Sequence, residues 1–144
     1  MTRSVLTLLG LGVPVVLVAA PALKTSDDRL LYVAGEPNDQ HIYVVKGDGT
    51  GAEKVTSGDG NHLFPAWSPD ARKIAYTVSS DSDQQIWVMD ADGKNPKQLT
   101  KDGLNRGPAW SPDGKRIAFT RYTGQAWNVF VMDADGGSLK NLTD

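Results

Sequence analysis

Cysteine is absent from all 144 residues, which excludes disulfide staples, thiolate metal ligands and thiol nucleophiles, and leaves the cellular compartment to be read from elsewhere. Histidine is scarce. His41 and His62 are the only two; neither lies near a G-x-S-x-G elbow, and both read as surface loop residues and not as catalytic bases. Basic clusters are missing too: no run of Lys or Arg exceeds a pair, and the formal net charge is −2, so the positive footprint that nucleic-acid binding requires is lacking. Helix signals are also missing. What remains, 40% apolar and 22% charged residues, suits one soluble globular domain.

The strongest positive signal is repetition. Ala66-Trp67-Ser68-Pro69-Asp70, Ile74-Ala75-Tyr76-Thr77 and Ile86-Trp87-Val88-Met89-Asp90-Ala91-Asp92-Gly93 return 43 residues later as Ala109-Trp110-Ser111-Pro112-Asp113-Gly114, Ile117-Ala118-Phe119-Thr120 and Val129-Phe130-Val131-Met132-Asp133-Ala134-Asp135-Gly136. A worn copy precedes them at an offset of 44, in Leu30-Leu31-Tyr32, Ile42-Tyr43-Val44-Val45 and Gly47-Asp48-Gly49. A period of about 40–50 residues marks repeated supersecondary units.

Each copy reads as four short strands A to D, because its apolar residues are β-branched or aromatic and are bounded by Gly, Pro, Asp and Asn. The middle copy predicts A at 63–67, B at 73–78, C at 85–89 and D at 97–100. The first copy predicts B at 30–34, C at 41–45 and D at 53–56. Ser-Pro-Asp-Gly makes a tight A-to-B turn in which Gly114 takes a left-handed angle; Ala71 stands at that position in the middle copy and pays for it. Asp90 and Asp133 open the C-to-D turns with a carboxylate free to accept local N–H bonds, so Lys46, at that place in the first copy, predicts the loosest turn. Strand C is apolar at four consecutive positions, Ile86 to Met89, which requires both faces of its sheet to be covered. Radially stacked blades satisfy this, with Trp67 and Trp110 packed between them.

The N-terminus supplies the compartment. Arg3 is the only charge before Lys24, an apolar run extends from Val5 to Ala20, and Ala20 and Ala22 form an A-x-A site. This is a secretory signal pattern, with cleavage after Ala22 and a periplasmic or secreted product; an uncleaved membrane anchor is the rival. Pro21-Ala22-Leu23 also aligns with Pro65-Ala66-Trp67, so the segment doubles as a candidate strand A. The organisation expected is a signal peptide over 1–22, an incomplete first blade over 23–62, a second over 63–105 and a third over 106–144.

The Ala-Trp-Ser-Pro-Asp-Gly-Lys-x-Ile-Ala-Phe-Thr element, with Val-x-Val-Met-Asp-Ala-Asp-Gly and Leu-Thr, resembles the propeller repeat of TolB-like proteins across Leu30 to Thr143. The resemblance implies an all-β propeller fold, six-bladed in the family's namesake, serving in the bacterial envelope as a protein-binding scaffold. About three blades are expected, without the α/β domain that the resemblance would place before them. The expectation is therefore a partial propeller, completed to six blades by a second chain in a homo-oligomer, or else a piece of a longer propeller. Similar propellers also precede the hydrolase domain of prolyl-oligopeptidase-type peptidases, which implies the alternative of a peptidase fragment.

Residues that repeat build the scaffold, so candidate binding residues are those where one copy breaks the pattern. Trp127 replaces Gln84 at the B-to-C connection, while Asn61, His62, Asn105 and Arg106 differ between the D-to-A loops. Both loop sets emerge at one end of a propeller, and that end is the expected surface for a protein or peptide partner. No catalytic set assembles. The alternative function, a cryptic hydrolase or a sugar- or metal-binding propeller, would use the loop carboxylates Asp81, Asp83 and Asp102. Asp-x-Asp-Gly opens like a calcium loop, but Lys94 and Lys101 stand where oxygen ligands would be needed, so neither Ca²⁺ nor another cofactor is expected.

Overall fold

The computed structural model describes residues 16–19 and 28–143. Among them there is no helix, and so none long and apolar enough to cross a membrane. The strands are β1 (Val16–Ala19), β2 (Arg29–Glu36), β3 (Asp39–Lys46), β4 (Glu53–Lys54), β5 (Asn61–Trp67), β6 (Lys73–Ser79), β7 (Gln84–Asp90), β8 (Lys97–Gln98), β9 (Leu104–Trp110), β10 (Arg116–Tyr122), β11 (Trp127–Asp133) and β12 (Lys140–Asn141). They form three four-stranded antiparallel meanders, β1 to β4, β5 to β8 and β9 to β12. The first strands β5 and β9 pack against each other, with no comparable contact joining β4, β8 and β12. The sheets thus fan out from a common axis, as propeller blades do.

Repetition in sequence becomes repetition in register. Tyr32 pairs with Tyr43, Tyr76 with Trp87 and Phe119 with Phe130 at the same place in each sheet, so a cross-strand aromatic pair marks every blade. Two cores lie between the three sheets. Leu31, Val33 and Ile42 of the first sheet meet Trp67, Ile74, Tyr76 and Met89 of the second. The opposite face of the second sheet, with Ala75, Ile86 and Val88, meets Ile117, Phe119 and Met132 of the third. The consecutive apolar residues of β7 therefore serve both faces.

The two repeat tryptophans join neighbouring sheets. Trp67 is 6% exposed, with the Arg29 guanidinium 4.9 Å from its ring centroid. The Trp110 indole N–H donates to the Ala66 carbonyl of the preceding sheet at 3.2 Å.

The A-to-B turns are clasped by their serines. Ser68 Oγ accepts from Lys73 N–H at 2.9 Å and donates to Asp70 Oδ1 at 2.6 Å, while Asp70 also accepts from Arg72 N–H. Ser111, Asp113, Lys115 and Arg116 repeat the same set. The serine hydroxyl bond holds both Asp carboxyls below their usual range. Gly114 has φ 69° and Ala71 φ 55°, so the alanine does adopt the left-handed angle.

Five sequence expectations need correction. Strand A begins two residues early, at Asn61 in the middle blade, because Asn61 and His62 pair with Ser79 and Val78. Strand D stops at Gln98, since the N–H groups of Leu99 and Thr100 both turn to the Ile86 carbonyl and leave the ladder. The turn at Lys46 is not loose: Lys46 N–H to Thr50 C=O and Gly49 N–H to Lys46 C=O match the bonds at Asp90. The local N–H acceptor is the third turn residue, Asp48, Asp92 or Asp135, and not the first. Finally, the strand A of the first sheet is β1, paired through Val18 with Leu31 and Ala19 with Leu30. Pro21-Ala22-Leu23 and the proposed cleavage point lie outside the described residues.

Candidate binding face

The B-to-C and D-to-A connections emerge at the same end of the sheets, opposite the serine-clasped turns. At this end a threonine closing strand D ties down the start of strand C in every blade. Thr56, Thr100 and Thr143 Oγ1 accept from the N–H of Ile42, Ile86 and Val129 at 2.9, 2.8 and 2.9 Å. Around this bond the first residue of the next sheet's pattern break is drawn in.

His62 lies in β5 and is 4% exposed. Its ring stacks on His41 at 5.1 Å, and its Nδ1 lies 3.3 Å from the Gln40 carbonyl. His41 is itself 8% exposed and reaches Thr56 Oγ1 through Nδ1 and Asp39 Oδ1 through Nε2. Burial pushes the His62 imidazole below its usual value, and the neighbouring His41 adds to that. At the next interface Asn105 takes the place of His62 and Gln85 that of His41. Asn105 is fully buried; its amide nitrogen lies 2.9 Å from Asp102 C=O and 3.0 Å from Gln85 Oε1, and its Oδ1 accepts from Arg121 Nε at 2.7 Å. Asn61 Oδ1 accepts from Gln40 N–H at 3.1 Å.

His62 and Asn105 are therefore buried polar joints between blades and Asn61 a half-buried one; all three lie in strands, which corrects their placement in loops. His41 is likewise a buried strand residue. They looked like loop residues because they are polar, and their partners lie about 20 positions away on another sheet.

Arg106 and Trp127 behave differently. Trp127 opens β11 and is 40% exposed, with the Arg106 guanidinium 3.8 Å from its ring centroid. Tyr122, its cross-strand partner, lies 5.6 Å away and is 37% exposed. The three make a solvent-facing cation–π corner on the third sheet. Along β11 Phe130 and Met132 point to the second sheet, so Trp127, Val129 and Val131 alternate to the opposite, outer face.

Sequence reasoning missed Tyr122 and Phe64. Phe64 sits in the irregular segment of β5 with φ 52° and half its surface exposed; its counterpart in the third copy is Gly107, at φ 66°. A bulky residue held there costs about 1–2 kcal/mol. Phe against Gly at matching positions was the signal available.

Of the carboxylates of the alternative reading, Asp83 Oδ1 accepts from Gln85 Nε2; in the turn that opens like a calcium loop, Asp90 is held by Lys73 and Asn95, and Asp92 by Lys94. Among the described residues no three His, Asp or Glu side chains group as metal ligands would. A depression of about 280 Å³ beside Asn61 lies at the candidate end, lined also by Asn38, Gly60, Ser79, Ser80 and Asp81. The clefts of about 440 and 500 Å³ lie at the opposite, turn end.

The repeats, their register and the fan of sheets are matched by a known family: the PD40 TolB beta propeller domain profile covers residues 14–144. The chain belongs to this family. A TolB homolog of Chlorobium luteolum is 42% identical over 52 residues, covering 36% of this chain and 12% of that protein. A Tol-Pal system protein TolB of Desulfosudis oleivorans is 35% identical over 79 residues, 55% of this chain and 18% of that protein. The structure of putative TolB from Agrobacterium tumefaciens superposes with a TM-score of 0.71 at 26% identity, over 78% of this chain and 44% of that one. This TolB-type chain thus spans less than a fifth of those two curated relatives and under half of that solved structure.

Proposed function

We propose that the chain is a non-enzymatic TolB-type propeller scaffold, periplasmic or secreted, which binds a protein or peptide at the end where the B-to-C and D-to-A connections emerge. The observation that carries the reading is the corner of Arg106, Trp127 and Tyr122. It departs from the repeat, which has Leu63, Gln84 and Ser79 at those positions, and it presents two aromatic rings and a guanidinium to solvent, the side chains that dominate binding hot spots. The leader-like N-terminal segment supports an envelope location. The Tol-Pal system named for the Desulfosudis relative makes the Pal protein of the source organism the first partner to test.

Calorimetric titration with that Pal protein tests the reading. Trp127→Ala is expected to weaken binding roughly thirtyfold, a loss of about 2 kcal/mol typical of a hot-spot aromatic, while Lys115→Ala at the opposite end leaves affinity unchanged. Equal affinities for wild type and Trp127→Ala would reject the corner as the contact. Turnover of peptide or glycoside substrates that disappears on mutating Asp81, Asp83 or Asp102 would reject the scaffold reading altogether.

A further inference from the structure

We propose that a cleft between the second and third sheets binds an acidic side chain of an extended peptide segment, with Arg121 and Lys101 holding the carboxylate and the apolar floor taking a neighbouring aliphatic residue. The cleft has a volume of about 240 Å³ and opens on the flank where the end of the second sheet meets the third; Leu99, Lys101, Asp102, Arg121, Met132 and Leu139 line it. Both walls belong to described segments of the chain.

Arg121 is fixed there from three sides. Its Nε donates to Oδ1 of the fully buried Asn105 at 2.7 Å. Its Cζ lies 5.0 Å from the Phe130 ring centroid and 5.7 Å from that of Phe119, and its stem runs beside Gly103, where a built Cβ would come within 3.5 Å of Cγ. Asn105 is thus a positioning residue, anchored in its turn by Gln85 and by the Asp102 and Gly103 carbonyls. The Nη groups are left over: among the described residues they have no acceptor, and neither Arg121 nor Lys101 enters an ion pair. Burial pushes the Arg121 guanidinium below its usual value, and the Asp102 carboxylate offsets only part of that. A half-buried guanidinium with its outer edge unpaired is a fork for a carboxylate, which it takes up through two parallel N–H···O bonds.

The charge is particular to this interface. Where Arg121 and Lys101 stand, the interface between the first and second sheets has Val78 and Ser57, so the repeat itself does not call for cations here. One lining acid, Asp102, against two cations leaves the cleft net positive, which selects an anion. Its size selects a side chain: sites that enclose whole small molecules run to about 300–1,000 Å³, and this one is smaller. Leu99 and Met132 belong to the core between the two sheets and Leu139 is 46% exposed, so an aliphatic side chain finds apolar surface beside the carboxylate. In an extended segment residues two apart point the same way, which gives the recognised pattern as an acidic and an aliphatic residue separated by one position. Phe119 and Arg121 face the second sheet, while the adjoining Tyr122 turns to the other side with Trp127. The cleft and the corner are therefore two sites, and either stands if the other fails.

Heteronuclear NMR titration of the full chain with the end-blocked peptide Ala-Leu-Ala-Glu-Ala-Leu-Ala tests the cleft. Saturable shifts are expected at Lys101, Arg121 and Leu139. The same peptide with Gln in place of Glu is expected to bind about tenfold more weakly, a preference that an Arg121 serving packing alone would not produce. Arg121→Met keeps the stem against Phe130 and is expected to erase the preference with the circular dichroism spectrum unchanged; Arg121→Lys, which keeps the charge without the fork, is expected to retain part of it. Should Arg121→Met fail to fold, Lys101→Ala probes the same carboxylate from an exposed side chain and is expected to weaken the Glu peptide severalfold and the Gln peptide not at all. No saturable shift, equal affinities for the two blocked peptides, shifts centred on Trp127, or tight binding of the Gln peptide once its C-terminus is left free would each overturn the proposal.

Discussion

Ala71 and Gly114 occupy the same turn position with nearly the same backbone, φ 55° and 69°, yet only one of them has a side chain. The space at Gly114 is open enough for a methyl group, with Pro69 Cδ at 3.6 Å from a built Cβ. Gly114→Ala therefore isolates the cost of a left-handed alanine, about 1 kcal/mol, and is expected to lower the thermal midpoint. Ala71→Gly relieves the same strain but removes a methyl packed against the first core, so its gain is expected to be smaller than the loss at Gly114; a larger gain would mean that the methyl contributes nothing. The strained turn was legible in the sequence because two copies could be laid side by side. His62 was not, since nothing in its own neighbourhood announces the His41 ring that covers it. Its depressed imidazole pKa has a defined consequence. The unfolded chain takes up a proton near pH 6.5 that the folded chain resists, so stability is full above that value and falls as pH drops from about 6.5 toward the lowered folded value. His62→Asn, the residue its counterpart Asn105 carries, is expected to flatten this fall in urea titrations at several pH values. The groups facing the ring, His41, Asp39 and the Gln40 and Gly60 backbones, stay in place in that variant.

At the scale of elements, strands B and C were read to within one residue in the middle copy and within two in the worn first copy, because their alternation is repeated. Strands A and D were read less well, because their ends depend on other sheets. The start of β5 follows from burial of His62 against His41, and the end of β8 from two N–H groups sharing the Ile86 carbonyl. Two pairs of substitutions test these joints. Thr100→Val removes a buried hydroxyl that accepts from Ile86 N–H and donates to Gln85 Oε1; leaving such groups unpaired costs about 1–3 kcal/mol. Thr143→Val removes the same bond to Val129 at an exposed position, where water can replace it, and is expected to cost less. Gly49 and Gly93 share φ 83°, so alanine strains both backbones alike. Only Gly93→Ala collides with the neighbouring blade, at Val55, and it should lower the unfolding midpoint clearly more. Equal losses at the two glycines would contradict the packing of the second blade's turn on the first blade's strand D.

At the scale of the whole molecule, the argument from sequence was that a strand apolar on both sides needs a cover on both sides. The second sheet has both covers. Burial of that kind yields about 25 cal/mol per Å² of apolar surface removed from water, which is why the sheets stack instead of standing apart. Trp127 and Arg106 were legible in the sequence as breaks in the repeat, whereas Tyr122 was not, since its place beside Trp127 follows from the pairing of β10 with β11. The central claim, that successive sheets are laid face to face, can be tested chemically because the chain has no cysteine of its own. A Cβ built on Gly136 lies 3.5 Å from Leu99 Cβ on the adjoining sheet, inside the span of about 3.5–4.5 Å that a disulfide bridges. The double variant Leu99→Cys, Gly136→Cys is expected to oxidise to an intrachain disulfide in the native protein, seen as faster migration on a non-reducing gel and the loss of both titratable thiols. Two thiols that remain free and reactive in the folded protein would contradict the stacking of the second and third blades.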